Sequence, residues 1–160
     1  MPELTEREFG YLEGILDGEG TVTLCRQKRK RNWGDRSYLM NYQYCPLVAI
    51  SNTDMRILQY IKDLLGDGSI HPVKSLIIQR PESKTVYRYV MTRPLMREIL
   101  PQISLVAKET QRLMLIDALE IFKRRVHERD YGTELLEAIY QDMKRLNKRG
   151  RNEDGGGEDS

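Results

Sequence analysis

Glu19 closes a stretch in which glycines and acids recur at helical spacing: Leu12-Glu13-Gly14-Ile15-Leu16-Asp17-Gly18-Glu19-Gly20. At about 100° per residue, Tyr11, Gly14, Ile15 and Gly18 share one face of a helix. Gly14 and Gly18 stand four apart, and glycines so placed let two helix backbones come nearly into contact. Leu12 and Leu16 form a neighbouring stripe suited to packing under a sheet, and Glu13 and Asp17 fall together on a third face. The helix then ends and delivers Glu19 just beyond it. Two such helices side by side would bring two carboxylates together. That donor set suits a hard cation such as Mg²⁺ or Mn²⁺, with water and phosphate as the remaining ligands. A cation held there would lower the pKa of water and stabilise the attacking and leaving oxygens of an in-line displacement at phosphorus. The plain alternative is a surface helix with a glycine-rich exit and an incidental acid.

The elements that would position this helix follow in order. Residues 5–17 read as a helix, with Thr5 as N-cap and Glu8 completing a capping box. Gly18 and Gly20 are expected to break it. Residues 21–24 open a β-rich run that turns around 32–35 and returns over 38–51, a long hairpin. Asn52 or Thr53 is placed to cap a second helix through Ile57, Leu58, Ile61, Leu64 and Leu65, which Gly66 ends. Residues 69–79 and 85–91 read as a second hairpin, 94–100 as a short helix, and 105–126 and 133–146 as longer helices. Helix, hairpin, helix, hairpin, helices is an α+β pattern, αββαββα, with an antiparallel sheet covered by helices on one face. Residues 1–146 are expected to form one domain, and 147–160, which include Gly155-Gly156-Gly157, a disordered tail.

The chain has 160 residues and a net charge of +2, which hides an asymmetry. Residues 21–50 hold six basic side chains (Arg26, Lys28, Arg29, Lys30, Arg31, Arg36) against Asp35 alone. Residues 71–93 hold five (Lys74, Arg80, Lys84, Arg88, Arg93) against Glu82. Positive charge gathered on two hairpins suits a polyanion such as nucleic acid, and equally a pair of solvated hairpins. No apolar run approaches the roughly 20 residues of a membrane span, and the start of the chain lacks the basic and apolar stretches of a secretory signal, so an intracellular protein is expected. Cys25 and Cys45 would approach each other if their strands pair. They lack the spacing of a zinc site and are expected to stay reduced.

The nine residues 12–20, preceded by Tyr11, resemble the signature of the LAGLIDADG homing endonucleases, with Glu13 where alanine is usual. The resemblance extends over most of residues 5–125, through Val48-Ala49-Ile50-Ser51-Asn52-Thr53-Asp54 and Leu64-Leu65-Gly66-Asp67-Gly68. It implies a nuclease in which Glu19, with Gly18, holds Mg²⁺ or Mn²⁺ near a scissile phosphate. Asn52 falls where related chains place a Gln or Asn near the metal and water network, although helix capping would explain it as well. Lys108 matches a lysine that polarises that network. Residues 21–160 contain no second motif, and one-motif members are homodimers, so Tyr11, Gly14 and Gly18 are expected at a two-fold interface. The implied activity is a double-strand break with short 3′ overhangs in a long, near-palindromic site of double-stranded DNA.

In such proteins the two hairpins lie in the major groove. There Arg and Lys pair with guanine, and Asn and Gln with adenine. The candidates here are Gln27, Arg29, Arg31, Tyr42, Gln43, Lys74, Gln79, Arg80, Arg88 and Tyr87, with Arg26, Lys28, Lys30 and Arg36 available for phosphates and Lys84 a further DNA contact. Alternation sends about half of each strand to the core, and a slip of one residue exchanges the halves. Two other readings use the same scaffold: an intron-RNA maturase, and a DNA-binding regulator that does not cut. Retention of Glu19 speaks against both.

Overall fold

Thr5 opens the first helix as a capping box should. Its hydroxyl accepts from the Glu8 N–H at 3.3 Å, and Glu8 accepts from the Thr5 N–H at 2.7 Å. The structure, a computed structural model, describes residues 3–28, 42–73 and 84–153. Helix α1 spans Glu6–Glu19 and ends two residues later than its sequence suggests, because Gly18 continues the helix. Strands β1 (Gly20–Lys28) and β2 (Tyr42–Asn52) follow, then α2 (Met55–Leu65), β3 (Ser69–Pro72) and β4 (Tyr87–Val90). The chain closes with α3 (Arg93–Ile99), a 3₁₀ turn at Leu100–Gln102, α4 (Glu109–Arg124) and α5 (Thr133–Glu153).

The four strands form one antiparallel sheet in the order β1-β2-β4-β3. The expected α+β class and order of elements are therefore observed. Val22, Leu24, Tyr44, Val48, Ile50 and Tyr89 alternate into the core, where they meet Leu12 and Leu16 of α1, Leu58 and Ile61 of α2, and Leu115, Ala118 and Leu119 of α4. Leu12 and Leu16 have no solvent exposure. Burying each contributes about 1.5–3 kcal/mol, and this stripe fixes how α1 is rotated on the sheet.

Three further boundaries depart from the sequence reading. The fourth helix starts at Glu109 rather than near 105, because residues 104–108 form a turn whose amides are bound elsewhere. The last helix runs on to Glu153, so residues 147–153 are not an irregular tail; Asn147 donates to the Thr23 hydroxyl at 3.3 Å. The cap of α2 is Asp54, whose carboxylate accepts from the Arg56 N–H at 3.0 Å, rather than Asn52 or Thr53. Among the described residues, no helix is long and apolar enough to cross a membrane.

Candidate active site and nucleic-acid face

Helix α1 ends in a turn that only glycine permits. The Gly20 N–H bonds to the Leu16 carbonyl, and a Cβ on Gly20 would lie 2.5 Å from that same oxygen. The chain therefore passes from helix to strand with no spacer, and Glu19, the last helical residue rather than one just beyond it, is held exposed at the junction. Its Oε2 accepts from the Asn52 side-chain amide at 2.7 Å. The Asn52 oxygen in turn accepts from the Asp54 N–H at 2.8 Å. That second bond orients the amide, since the oxygen must face the Asp54 donor and the NH₂ then faces the acid. Because Asp54 caps α2, Asn52 does not cap a helix and joins Glu19 to the end of β2.

Lys108 reaches the same turn of α1 from the other side. Its Nζ donates to the Leu16 carbonyl at 2.8 Å and the Asp17 carbonyl at 2.6 Å. Two carbonyls at the negative end of the helix thus receive a cation. Burial pulls the Lys108 pKa down, and the nearby Asp17 carboxylate opposes that shift. The side chains of Glu13 and Asp17 face the turn that carries Lys108. Glu13 accepts from the Ser104 N–H at 3.0 Å, and Asp17 accepts from Val106, Ala107 and Lys108 at 2.7, 3.1 and 3.2 Å. The remaining amide, of Leu105, donates to Glu109 at 2.8 Å. Arg112, itself buried, grips Glu109 at 2.5 Å and holds its carboxyl down to about 2. No role for Asp17 was legible beyond the third face it shares with Glu13.

Strand register settles which residues face away from the helices. Gln27 lies opposite Gln43, and Cys25 opposite Cys45. Further along, Ser51, Arg88 and His71 line up across β2, β4 and β3. Arg88 Nε lies 3.4 Å from the Ser51 hydroxyl. The two thiols are free.

The sequence matches no family model and no curated protein. Solved structures do match. The homing endonuclease I-CvuI, in complex with its target, superposes with a TM-score of 0.65 at 16% identity, over 88% of this chain and 82% of that one. I-TnaI, also a homing endonuclease, gives 0.64 at 16% identity over 92% and 96%. The group I intron-encoded homing endonuclease I-CeuI, complexed with DNA, gives 0.67 at 15% identity over 89% and 69%. The chain has the fold of the LAGLIDADG homing endonucleases.

Within this LAGLIDADG fold the expected site residues separate into groups. Glu19, Asn52 and Lys108 all converge on the last turn of α1. Gln27, Gln43 and Arg88 stand on the open face of the sheet, which His71 and Ser51 join; strand alternation alone could not choose that face. Lys28 is exposed at the end of β1, and Lys84 is exposed ahead of β4. Arg26 is a correction. It lies on the helix side, paired with Glu137 at 2.5 Å and stacked on the rings of Tyr42 and Tyr140 at 4.1 and 4.5 Å. Tyr42 is turned the same way. Tyr44, beneath them, donates its hydroxyl to Glu137. Arg29, Lys30, Arg31, Arg36, Lys74, Gln79 and Arg80 lie outside the described residues.

Tyr11, Gly14 and Gly18 share an exposed face of α1, as the spacing requires. Gly10 extends the stripe by one more step of four. A Cβ built on Gly10, Gly14 or Gly18 would meet nothing within 4 Å. Tyr11 is 40% exposed and packs edge-on against Tyr60 of α2, with ring centroids 5.3 Å apart.

Proposed function

We propose that this chain is one subunit of a homodimeric homing endonuclease. Two copies meet along the glycine face of α1, bind a near-palindromic duplex on their open sheet faces, and hydrolyse one phosphodiester in each strand. The observation that carries this reading is the convergence at one helix end. An exposed carboxylate, an amide that orients it and a half-buried lysine amine all meet there, at the end of a helix whose glycine stripe meets no other side chain among the described residues.

The donor set fits a hard divalent cation only if it is shared. Among the described residues no group of three or more His, Cys, Asp or Glu side chains could hold a metal. A single Glu19 with the Gly18 carbonyl is a poor cage, whereas the Glu19 residues of two copies, completed by water and phosphate oxygens, suit Mg²⁺ or Mn²⁺. Such an ion would supply Lewis-acid activation of water and neutralise charge on the phosphate. Asn52 keeps the acid pointed outward, and Lys108 places positive charge on the turn beneath it. I-CvuI complexes with DNA were obtained with 2 mM Ca and with 2 mM Mg, which supports divalent metal use.

This chain spans 96% of I-TnaI but 47% of I-SmaMI, so the longer protein has room for a second unit of this size. Each copy would cover roughly one helical turn, about 10 base pairs, with Gln27, Gln43, Arg88 and His71 toward base edges.

The test is cleavage of a plasmid library with near-palindromic inserts, with and without Mg²⁺, followed by sequencing of the ends. Discrete metal-dependent breaks with short, symmetric 3′ overhangs are expected. Salt-sensitive binding without any break would favour a regulator.

A further inference from the structure

Five consecutive backbone amides, those of residues 104–108, donate to carboxylates, and three side chains supply every acceptor. Glu13 takes the first, Glu109 the second, and Asp17 the last three. Two of these acids stand four apart on α1, on the face between the buried leucines and the glycine stripe. An acid in the last turn of a helix opposes the helix dipole, so Asp17 does not serve α1 itself. What it serves is the turn. The return contact is equally specific: Lys108, at the end of that turn, donates its ammonium to the carbonyls of Leu16 and Asp17. The lock therefore works both ways, with amides onto a carboxylate and an ammonium onto carbonyls.

We infer that Asp17, seconded by Glu13, is a positioning residue for the proposed nuclease centre: its carboxylate pins residues 106–108 to the last turn of α1 and thereby seats the Lys108 amine on the carbonyls of the turn that Glu19 closes. The inference rests on the reading of that helix end as the site of cleavage. The apolar pattern of the fourth helix continues through residues 105–108, so a released turn has an alternative, winding on as helix and carrying Lys108 away. Glu13, which stands where the family has alanine, ties down the start of the same turn.

Amide hydrogen exchange in the metal-free, DNA-free chain tests the anchoring. Single-turnover cleavage at saturating protein, read beside the dissociation constant for DNA, tests its purpose. In Asp17→Ala the amides of Val106, Ala107 and Lys108 should exchange at least about tenfold faster while sheet amides keep their protection. Asp17→Asn, which keeps one acceptor oxygen, should fall between and guards against a variant that fails to fold. Glu13→Ala should release Ser104 alone. Cleavage by Asp17→Ala should slow by about 10- to 100-fold with binding unchanged, a split that general destabilisation would not give. Unchanged exchange at residues 106–108 would overturn the anchoring. Faster exchange with undiminished cleavage would overturn the positioning role. A wild-type chain that cuts no DNA would overturn the nuclease reading instead, and the exchange result would still decide the anchoring.

Discussion

On one face of α1, Glu13 and Asp17 accept four backbone N–H bonds, all from residues 104–108 of the same chain. On the adjoining face, Gly10, Gly14 and Gly18 have open space where side chains would stand, and Tyr11 is left 40% exposed. The first face is finished. The second carries a cost without a visible return, because each glycine inside a helix loses about 1 kcal/mol relative to alanine. Helix α1 keeps three of them, four apart, where the described residues offer nothing to pack against. The contrast teaches that a polar face can be satisfied by one chain, whereas a flat glycine face gains only from a close backbone neighbour. Both faces run to the last turn of the helix, which Glu19 ends.

Glu19→Gln strikes the end of the helix that carries both faces and should have the largest effect. Metal-dependent cleavage should fall below detection while DNA affinity in a filter or fluorescence assay is kept. Normal cutting by this variant would detach the chemistry from α1. Lys108→Met probes the finished face. It removes the ammonium from the Leu16 and Asp17 carbonyls and should slow cleavage by about 10- to 100-fold with little change in affinity. Loss of affinity alone would make Lys108 a phosphate contact.

The smallest effect concerns pH. Glu109, which takes the Leu105 amide and pairs with Arg112, titrates at about 2 in the folded chain against an ordinary 4.5. The unfolded chain therefore takes up this proton first as pH falls. The stability that Glu109 contributes is whole above about 4.5 and is lost on acidification toward about 2. Thermal melts of Glu109→Gln should lose part of the acid sensitivity of the wild type within that window. Parallel melting curves for the two would show that the pair with Arg112 contributes no stability.

Much of this was legible in the sequence, for physical reasons that can be named. Period and capping chemistry are local, so α1, its capping box and its three faces followed from residues 5–20 alone. The convergence of Asn52 and Lys108 on the last turn of α1 was reached only through resemblance, since no local rule joins Glu19 to residues 33 and 89 positions away. Arg26 shows the limit most clearly. Its charge suggested a phosphate contact, but strand register turned it to the helix side, and Glu137, 111 positions on, claimed it. The turn at 104–108 was lost to its own apolar pattern, which reads as helix until the acids of α1 are brought against it. The cap at Asp54 lay one residue beyond the choices that spacing offered, and the last helix ran on through residues that composition marked as tail.

Light scattering on the wild type and Gly14→Leu tests the contrast between the two faces most directly. The wild type should have twice the 18.8 kDa mass of the chain. Gly14→Leu, overpacked at the stripe, should remain folded at the single-chain mass and lose cleavage. A monomeric wild type, or a Gly14→Leu variant that keeps the doubled mass, would show that this face of α1 does not seat a second copy.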